Sequence, residues 1–182
     1  MASMIDVVLP RKVTNEYRGG PIPFYGFCLL LATQIFSSTV HFLKADSGVN
    51  SIASIIVFPF EGPADPNNVI YMFSAVGGVS QMIFTILSAL VLWRYRSLIS
   101  LMLAFILLET LFGIVVTTLH PLTPEYYEHT PPALIARIPK LIVLPTLLFM
   151  AIRRSKTEDR RSRASSRQAA IEEPRNHIEH MP

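Results

Sequence analysis

The sequence has little charge and almost no cysteine. Only 16% of its 182 residues are Asp, Glu, Lys or Arg, whereas 51% are hydrophobic, and the mean hydropathy is +0.41. Soluble domains carry more charge and fewer hydrophobic residues, so these values predict an integral membrane protein. The single cysteine, Cys28, excludes a disulfide within these residues and a metal site built from cysteines.

Several catalytic and phosphate-binding motifs are also missing. The sequence has no Gly-rich loop followed by a lysine, no HExxH and no nucleophile elbow. Gly77 and Gly78 lack the spacing of a dinucleotide fingerprint and lie in an apolar run. The formal net charge of +3 gives no reason to expect nucleic acid as a partner. The missing motifs favour a non-enzymatic protein over an enzyme without settling the choice, and we expect no cofactor.

Four apolar runs are long enough to cross a bilayer, which requires about 20 residues at about 1.5 Å each. They predict an all-α fold, a four-helix transmembrane bundle occupying residues 21–152, with a disordered C-terminal tail. The short turn at Arg94-Tyr95-Arg96 makes the second and third helices antiparallel neighbours. The predicted helices are 21–43, 69–93, 97–120 and 133–152.

The loop 44–68 contains a shorter apolar segment, 51–60, between turn-forming residues. Ten residues cannot span a bilayer, so the segment predicts an interfacial helix, a lid over the bundle or a shallow re-entrant segment. Pro59 and Pro63 stop a helix there, and Phe58 and Phe60 suit the membrane interface, which favours the interfacial alternative.

Basic residues are concentrated in three places: the N-terminal segment 1–20, the turn at Arg94 and Arg96, and the tail 153–182. Since basic residues stay on the cytoplasmic side, both termini are predicted to be cytoplasmic. The tail is rich in charge and poor in apolar residues, which predicts disorder and a contact with anionic lipid head groups.

The first three helices each carry a stripe of polar or small residues at helical spacing. Counted from the predicted outer ends, Gln34, Glu109 and Gln81 lie at depths of about 13, 16 and 18 Å, close to the midplane. Such stripes are typical of helix packing in membranes, where hydroxyl and amide groups form hydrogen bonds across the interface. The stripes are Gln34, Ser37, Ser38 and His41; Ser74, Gly78, Gln81, Thr85 and Ser88; and Glu109, Gly113, Thr117 and His120.

Glu109 needs a further explanation, because a carboxylate at mid-depth costs about 3 kcal/mol unless it is protonated or paired. Lys140 and Arg137 share a face of the fourth helix, and Lys140 is the nearer counter-charge; Arg137 is expected to reach the outer surface. Two interpretations stay open. Glu109 fixes the helix register through an ion pair or a hydrogen bond, or it forms a ligand, proton or ion site with Lys140, Gln34, Gln81 and Arg137.

His41 and His120 lie at the predicted outer ends of their helices. Two facing histidines are able to hold a haem iron or a divalent metal, but histidines at helix ends are more often interfacial. They are weak candidates for a metal site.

Two stretches, RYRSLISLMLAFILLET and TPPALIARIPKLIVLPTLLFMAIR, resemble segments of small uncharacterised bacterial four-helix membrane proteins. In size and layout, residues 21–153 are similar to DoxX-like proteins. The resemblance implies a multi-pass protein of the bacterial inner membrane and assigns no functional residue.

The leading functional prediction is a subunit or scaffold whose polar layer serves assembly, with the lipid bilayer and a protein partner or a second copy as its contacts. The first alternative is a small transporter or channel-like module that uses Glu109. The second is a membrane redox or quinone-linked component that uses His41 and His120.

Overall fold

The computed structural model describes residues 4–178, with side-chain surroundings for all of these except 163, 167 and 169–178. The described chain is helical and has no β-strand, so the all-α class is confirmed. An isolated antiparallel bridge joins Ile55 to Tyr127. The α-helices are α1 Met4–Val8, α2 Pro21–Leu43, α3 Asn67–Arg94, α4 Ile99–Leu119, α5 Pro132–Ile135 and α6 Arg137–Ile178.

Three helical segments in the described part of the chain are long and apolar enough to cross a membrane: Pro21–Leu43, Asn67–Arg94 and Arg96–Leu119. The first begins with two prolines, which cost nothing there because the amides of a first turn have no intrahelical acceptor. The third begins as a 3-10 turn, Arg96–Leu98, and continues as α4. These segments indicate a multi-pass membrane protein.

The predicted fourth span, 133–152, is divided between α5 and α6. The division at Ala136 follows from Pro139, whose ring nitrogen cannot donate to the Ile135 carbonyl and whose ring crowds it. Helix α6 is not among the three segments above, since charged residues occur near both ends of its apolar part. The fourth span stays a prediction.

The tail differs from its prediction. Residues 153–178 continue α6 instead of being disordered, and 179–182 lie outside the described residues. Arg, Lys, Glu, Gln and Ala favour helix, and an existing helix lengthens without a new nucleation step. The tail is also held in place, because Ser155 is buried and Asp159 accepts a hydrogen bond of 3.1 Å from Arg18.

Segment 51–60 is not a helix either. The chain turns through Ser47 and Gly48, both at positive φ, and has no helix or strand from Ile56 to the start of α3. Asn and Asp side chains take up backbone groups that a helix would have used, as described below. The helical form of this segment was therefore predicted wrongly.

The helices pack as two pairs, α2 with α3 and α4 with α6. The hydrophobic core fills the end that contains the Arg94–Leu98 turn, here called the turn end, where Phe27, Ile99, Leu103 and Leu144 are fully buried. Gly26 lets α2 approach Leu147 of α6 there. At the opposite end, the loop end, the pairs separate. No residue of α4 after Ile106 is buried.

Candidate functional site

A cavity of about 370 Å³ lies between the two helix pairs, on the loop-end side of the hydrophobic core. We call it the central cavity. Helices α2, α3, α4 and α6 all contribute to its wall, and Gly48, Ile52 and Ala53 of the first loop contribute as well. Much of the wall is apolar, including Leu30, Phe36, Val40, Phe84 and Ile106.

Four of the five predicted ligand-site residues line this cavity, each on a different helix: Gln34 on α2, Gln81 on α3, Glu109 on α4 and Lys140 on α6. The fifth, Arg137, does not line it. The cavity therefore brings a carboxylate, an ammonium and two amides together in one otherwise apolar space. Ligand sites often consist of an apolar wall with a few polar groups.

Glu109 and Lys140 do not form a direct ion pair, which was one of the arrangements left open by the sequence. Among the described residues, all ion pairs within 4.0 Å lie in the N-terminal segment and along α6 beyond Lys156. Lys140 is nevertheless close enough to Glu109 to attract it electrostatically. Both side chains belong to residues that are exposed when the chain is taken without lipid. The two opposite charges thus line the same cavity without a direct contact between the ammonium and the carboxylate.

The amide oxygens of Gln34 and Gln81 are enclosed and have no hydrogen-bond donor within the described part of the chain. A buried polar atom without a partner is costly, and most such atoms in proteins are paired. Both glutamines line the cavity.

The wall between α2 and α3 is fixed by close contacts. The Thr85 hydroxyl donates to the Ser38 hydroxyl oxygen at 3.3 Å, and both residues are buried. Gly78 lies against the His41 backbone. These residues belong to the predicted stripes of small and polar residues. As is typical of such stripes in membrane proteins, they allow the two helices to pack closely.

His41 also lines the cavity, and its ring is held by the first loop. Its Nδ1 atom lies 2.8 Å from the Ser47 carbonyl oxygen, which only accepts, so Nδ1 carries the proton. The other ring nitrogen, Nε2, is then an acceptor whenever the ring is neutral. His120 does not line the cavity, and the described residues contain no cluster of three metal-ligating side chains. The structure gives no support to a metal site built from His41 and His120.

The first loop forms a cap at the loop end, defined here as residues 44–66 with 126–128. Backbone hydrogen bonds from Ile56 to Tyr126 and from Glu128 to Ser54 join its two parts at 3.0 and 2.9 Å. Asn67, at the start of α3, holds the segment around Phe58 by accepting from the Phe58 amide and donating to its carbonyl, both at 2.9 Å. Asn50 donates to the Ile55 carbonyl and accepts from the Tyr71 hydroxyl.

Asp46 organises the turn that leads into the cap. Partial burial opposes ionisation of its carboxylate, but hydrogen bonds from Ser51 and Gly48 and the nearby charge of Lys44 outweigh that effect and lower its pKa to about 2. The carboxylate accepts from the Ser51 and Gly48 amides at 2.8 and 3.0 Å. Asp46 is therefore ionised at neutral pH.

Sequence reasoning missed Ser47, Asn50 and Asn67 as determinants of the site. The available signal was their residue type, because Ser, Asn and Asp side chains commonly bond to nearby backbone. Their actual partners lie up to 27 positions away, as with Ser47 and Ser74, and these pairings cannot be read from composition.

A second cavity, at the turn end, lies between the N-terminal segment and α6. Arg18 donates there to Glu16 and Asp159 at 3.3 and 3.1 Å, and these carboxylates raise its pKa. Burial raises the pKa of the neighbouring Tyr17 phenol, which stays protonated. None of these hydrogen bonds bears on the predicted contact between the basic tail and anionic lipid head groups, which stays a prediction.

Comparison with known proteins gives this site no precedent. No protein family model, curated protein or solved structure matches the chain.

Proposed function

We propose that this chain is a four-span membrane protein with both termini on the cytoplasmic side, of the kind found in bacterial inner membranes and DoxX-like in layout. Three apolar helices and the distribution of Lys and Arg support the proposal. The first half of α6 packs beside α4 and α2, where a fourth span would lie. The cap then faces the outer side.

We further propose that the protein binds a small molecule in the central cavity, as a transporter-like or ligand-binding module. One observation carries this proposal: four helices each direct a polar side chain to the same cavity, Gln34, Gln81, Glu109 and Lys140. Ionisable residues inside a membrane cost about 3 kcal/mol each, so a charged pair that is not used for mutual pairing suggests a ligand.

A subunit or scaffold role is the second candidate, and a different observation favours it. Helix α4 after Ile106 has no buried residue, and a side chain added at Gly113 would meet nothing within 4 Å. A partner helix or a second copy would cover that surface. The redox alternative stays a prediction, and of its two histidines only His41 lines the cavity.

Thiol labelling tests the ligand-binding proposal without knowledge of the ligand. In a Cys28→Ser background, Ser37→Cys places a thiol in the cavity wall, whereas Ile35→Cys, half exposed two residues away, faces outward. N-ethylmaleimide reacts with the thiolate, which forms in a hydrated cavity and not in hydrocarbon. With the protein in lipid vesicles, we expect position 37 to react roughly tenfold faster than position 35. Equal, slow rates at both positions would show that the cavity is not an open polar site.

The scaffold candidate is tested on the same purified protein by light scattering in detergent. A stable oligomer, combined with equal labelling at positions 35 and 37, would favour assembly over ligand binding. A monomer with fast labelling at position 37 would favour ligand binding.

A further inference from the structure

Glu109 and Lys140 are opposite charges that line one cavity and yet stay more than 4.0 Å apart. Lys140 has a long, flexible side chain and would close on the carboxylate if direct pairing were the best arrangement available to both. The cavity instead leaves each group facing space that is occupied by no protein atom. This arrangement matches a molecule that lies between the two charges.

We propose that the central cavity takes a zwitterion, a molecule with one ammonium and one anionic group on a short apolar body. The proposal rests on the ligand-binding function above and names its substrate class. The ammonium lies on the Glu109 side and the anionic group on the Lys140 side, so each protein charge receives a counter-charge. No net charge is added to a site within the membrane.

The amides of Gln34 and Gln81 favour the same orientation of the zwitterion, with its ammonium near Glu109. Gln34 and Gln81 both line the cavity, and each has an oxygen that finds no donor within the described part of the chain. An ammonium carries three N–H donors, enough for the Glu109 carboxylate and for both amide oxygens once the amide groups turn into the cavity. A purely anionic ligand would leave all three acceptors without a donor, and a purely cationic one would leave Lys140 without a counter-charge.

The cavity accommodates such a molecule together with some hydrocarbon. Along α2 its wall runs from Leu30 to His41, which is about 16 Å at 1.5 Å per residue. A volume of about 370 Å³ is within the usual range of small-molecule sites. Phe36 lines the cavity and is 64% exposed, so the cavity is open to the surroundings of the helices there. Both a soluble zwitterion and the head group of a zwitterionic lipid have the required chemistry.

Three probes of matched size separate the charge types: 4-aminobutyrate is a zwitterion, butylamine is a cation and butyrate is an anion. Each is added to the Ser37→Cys, Cys28→Ser protein in nonionic detergent, and the rate of N-ethylmaleimide labelling is measured. We expect 4-aminobutyrate to slow labelling about tenfold at a concentration about ten times its Kd, and the other two to have no comparable effect. Equal or better protection by butylamine or by butyrate would overturn the proposal.

A lipid comparison identifies the source of the zwitterion. The same protein is placed in bilayers of phosphatidylethanolamine or phosphatidylglycerol with identical acyl chains. Slower labelling in phosphatidylethanolamine, without protection by 4-aminobutyrate, would support the proposal and assign the site to a lipid head group. If position 37 labels rapidly and neither the probes nor the lipid protect it, the cavity is open but the proposal of a zwitterionic ligand is wrong. If it fails to label at all, the ligand-binding function itself fails.

Variants then assign the two ends of the molecule. Glu109→Gln should remove protection by 4-aminobutyrate and favour butyrate, and Lys140→Met should favour butylamine. Labelling of position 37 without any probe serves as the control for folding in each variant. Identical probe preference in both variants would contradict the assignment of the ammonium to Glu109 and the anionic group to Lys140.

Discussion

Gly78 lies directly against the backbone of His41, where α3 meets α2 beside the central cavity. A Cβ atom at Gly78 would come within 2.8 Å of the His41 carbonyl carbon and within 3.0 Å of its oxygen. The same stretch of α2 is tied to α3 through Ser47, whose hydroxyl donates to the His41 carbonyl at 2.7 Å and lies 3.0 Å from the Ser74 hydroxyl. The position of His41 in the cavity wall therefore depends on the absence of a side chain at residue 78.

Gly78→Ala is expected to destabilise the fold by about 1–3 kcal/mol, since the neighbour is backbone and cannot move aside easily. Gly77→Ala is the matched control. Nothing lies within 4 Å of a Cβ at Gly77, and alanine in a helix is favoured over glycine by up to about 1 kcal/mol. Thermal unfolding in detergent should give a lower Tm for Gly78→Ala only. A similar loss in both variants would contradict the close contact.

Asn67→Ala should loosen the cap. Asn67 is buried, and its side chain bonds to both backbone groups of Phe58 and to Asp65. Its removal leaves enclosed groups without partners, which costs about 1–3 kcal/mol. Asn68→Ala is the control, because Asn68 is exposed and its side chain has no hydrogen bond among the described residues. Limited proteolysis should cleave 56–66 faster in Asn67→Ala than in Asn68→Ala; equal cleavage rates would show that Asn67 does not hold the cap.

The bounds of the apolar helices were predictable because each of their determinants is local. Prolines 21 and 23 mark the start of α2, and the Arg94–Arg96 turn separates α3 from α4. The change from apolar to polar residues marks the other helix ends. The fixed rise of a helix also predicted that Gln34, Gln81 and Glu109 lie at similar levels, and all three line one cavity. Their presence around one cavity follows when the helices are antiparallel neighbours.

Other features depend on contacts between distant residues and could not be predicted in this way. The cap depends on pairs such as Ile55 with Tyr127, which no local pattern connects. Charge and depth left open whether Glu109 pairs directly with Lys140, because the distance between the two side chains depends on how α4 and α6 are placed against each other, which no local pattern gives. In the tail, helix propensity favours a helix, whereas the high charge favours an unfolded segment. The free-energy difference between the two is small, and the ion pair between Arg18 and Asp159 favours the helix.

The stability contributed by Asp46 should depend on pH. Its pKa in the folded chain is about 2, below the ordinary 3.8, so the folded chain binds this proton less readily than the unfolded chain does. The stabilisation is therefore complete above about pH 4 and disappears as the pH falls through about 2. Because the turn is partly exposed, Asp46→Asn should cost less than about 1 kcal/mol at pH 7.

Glu61→Gln, in the same loop but without a hydrogen bond or ion pair among the described residues, should leave stability unchanged. Unfolding of the three proteins between pH 7 and pH 2 measures the difference. If the gap between the parent protein and Asp46→Asn stays constant over that range, the Asp46 carboxylate does not hold the turn through its charge.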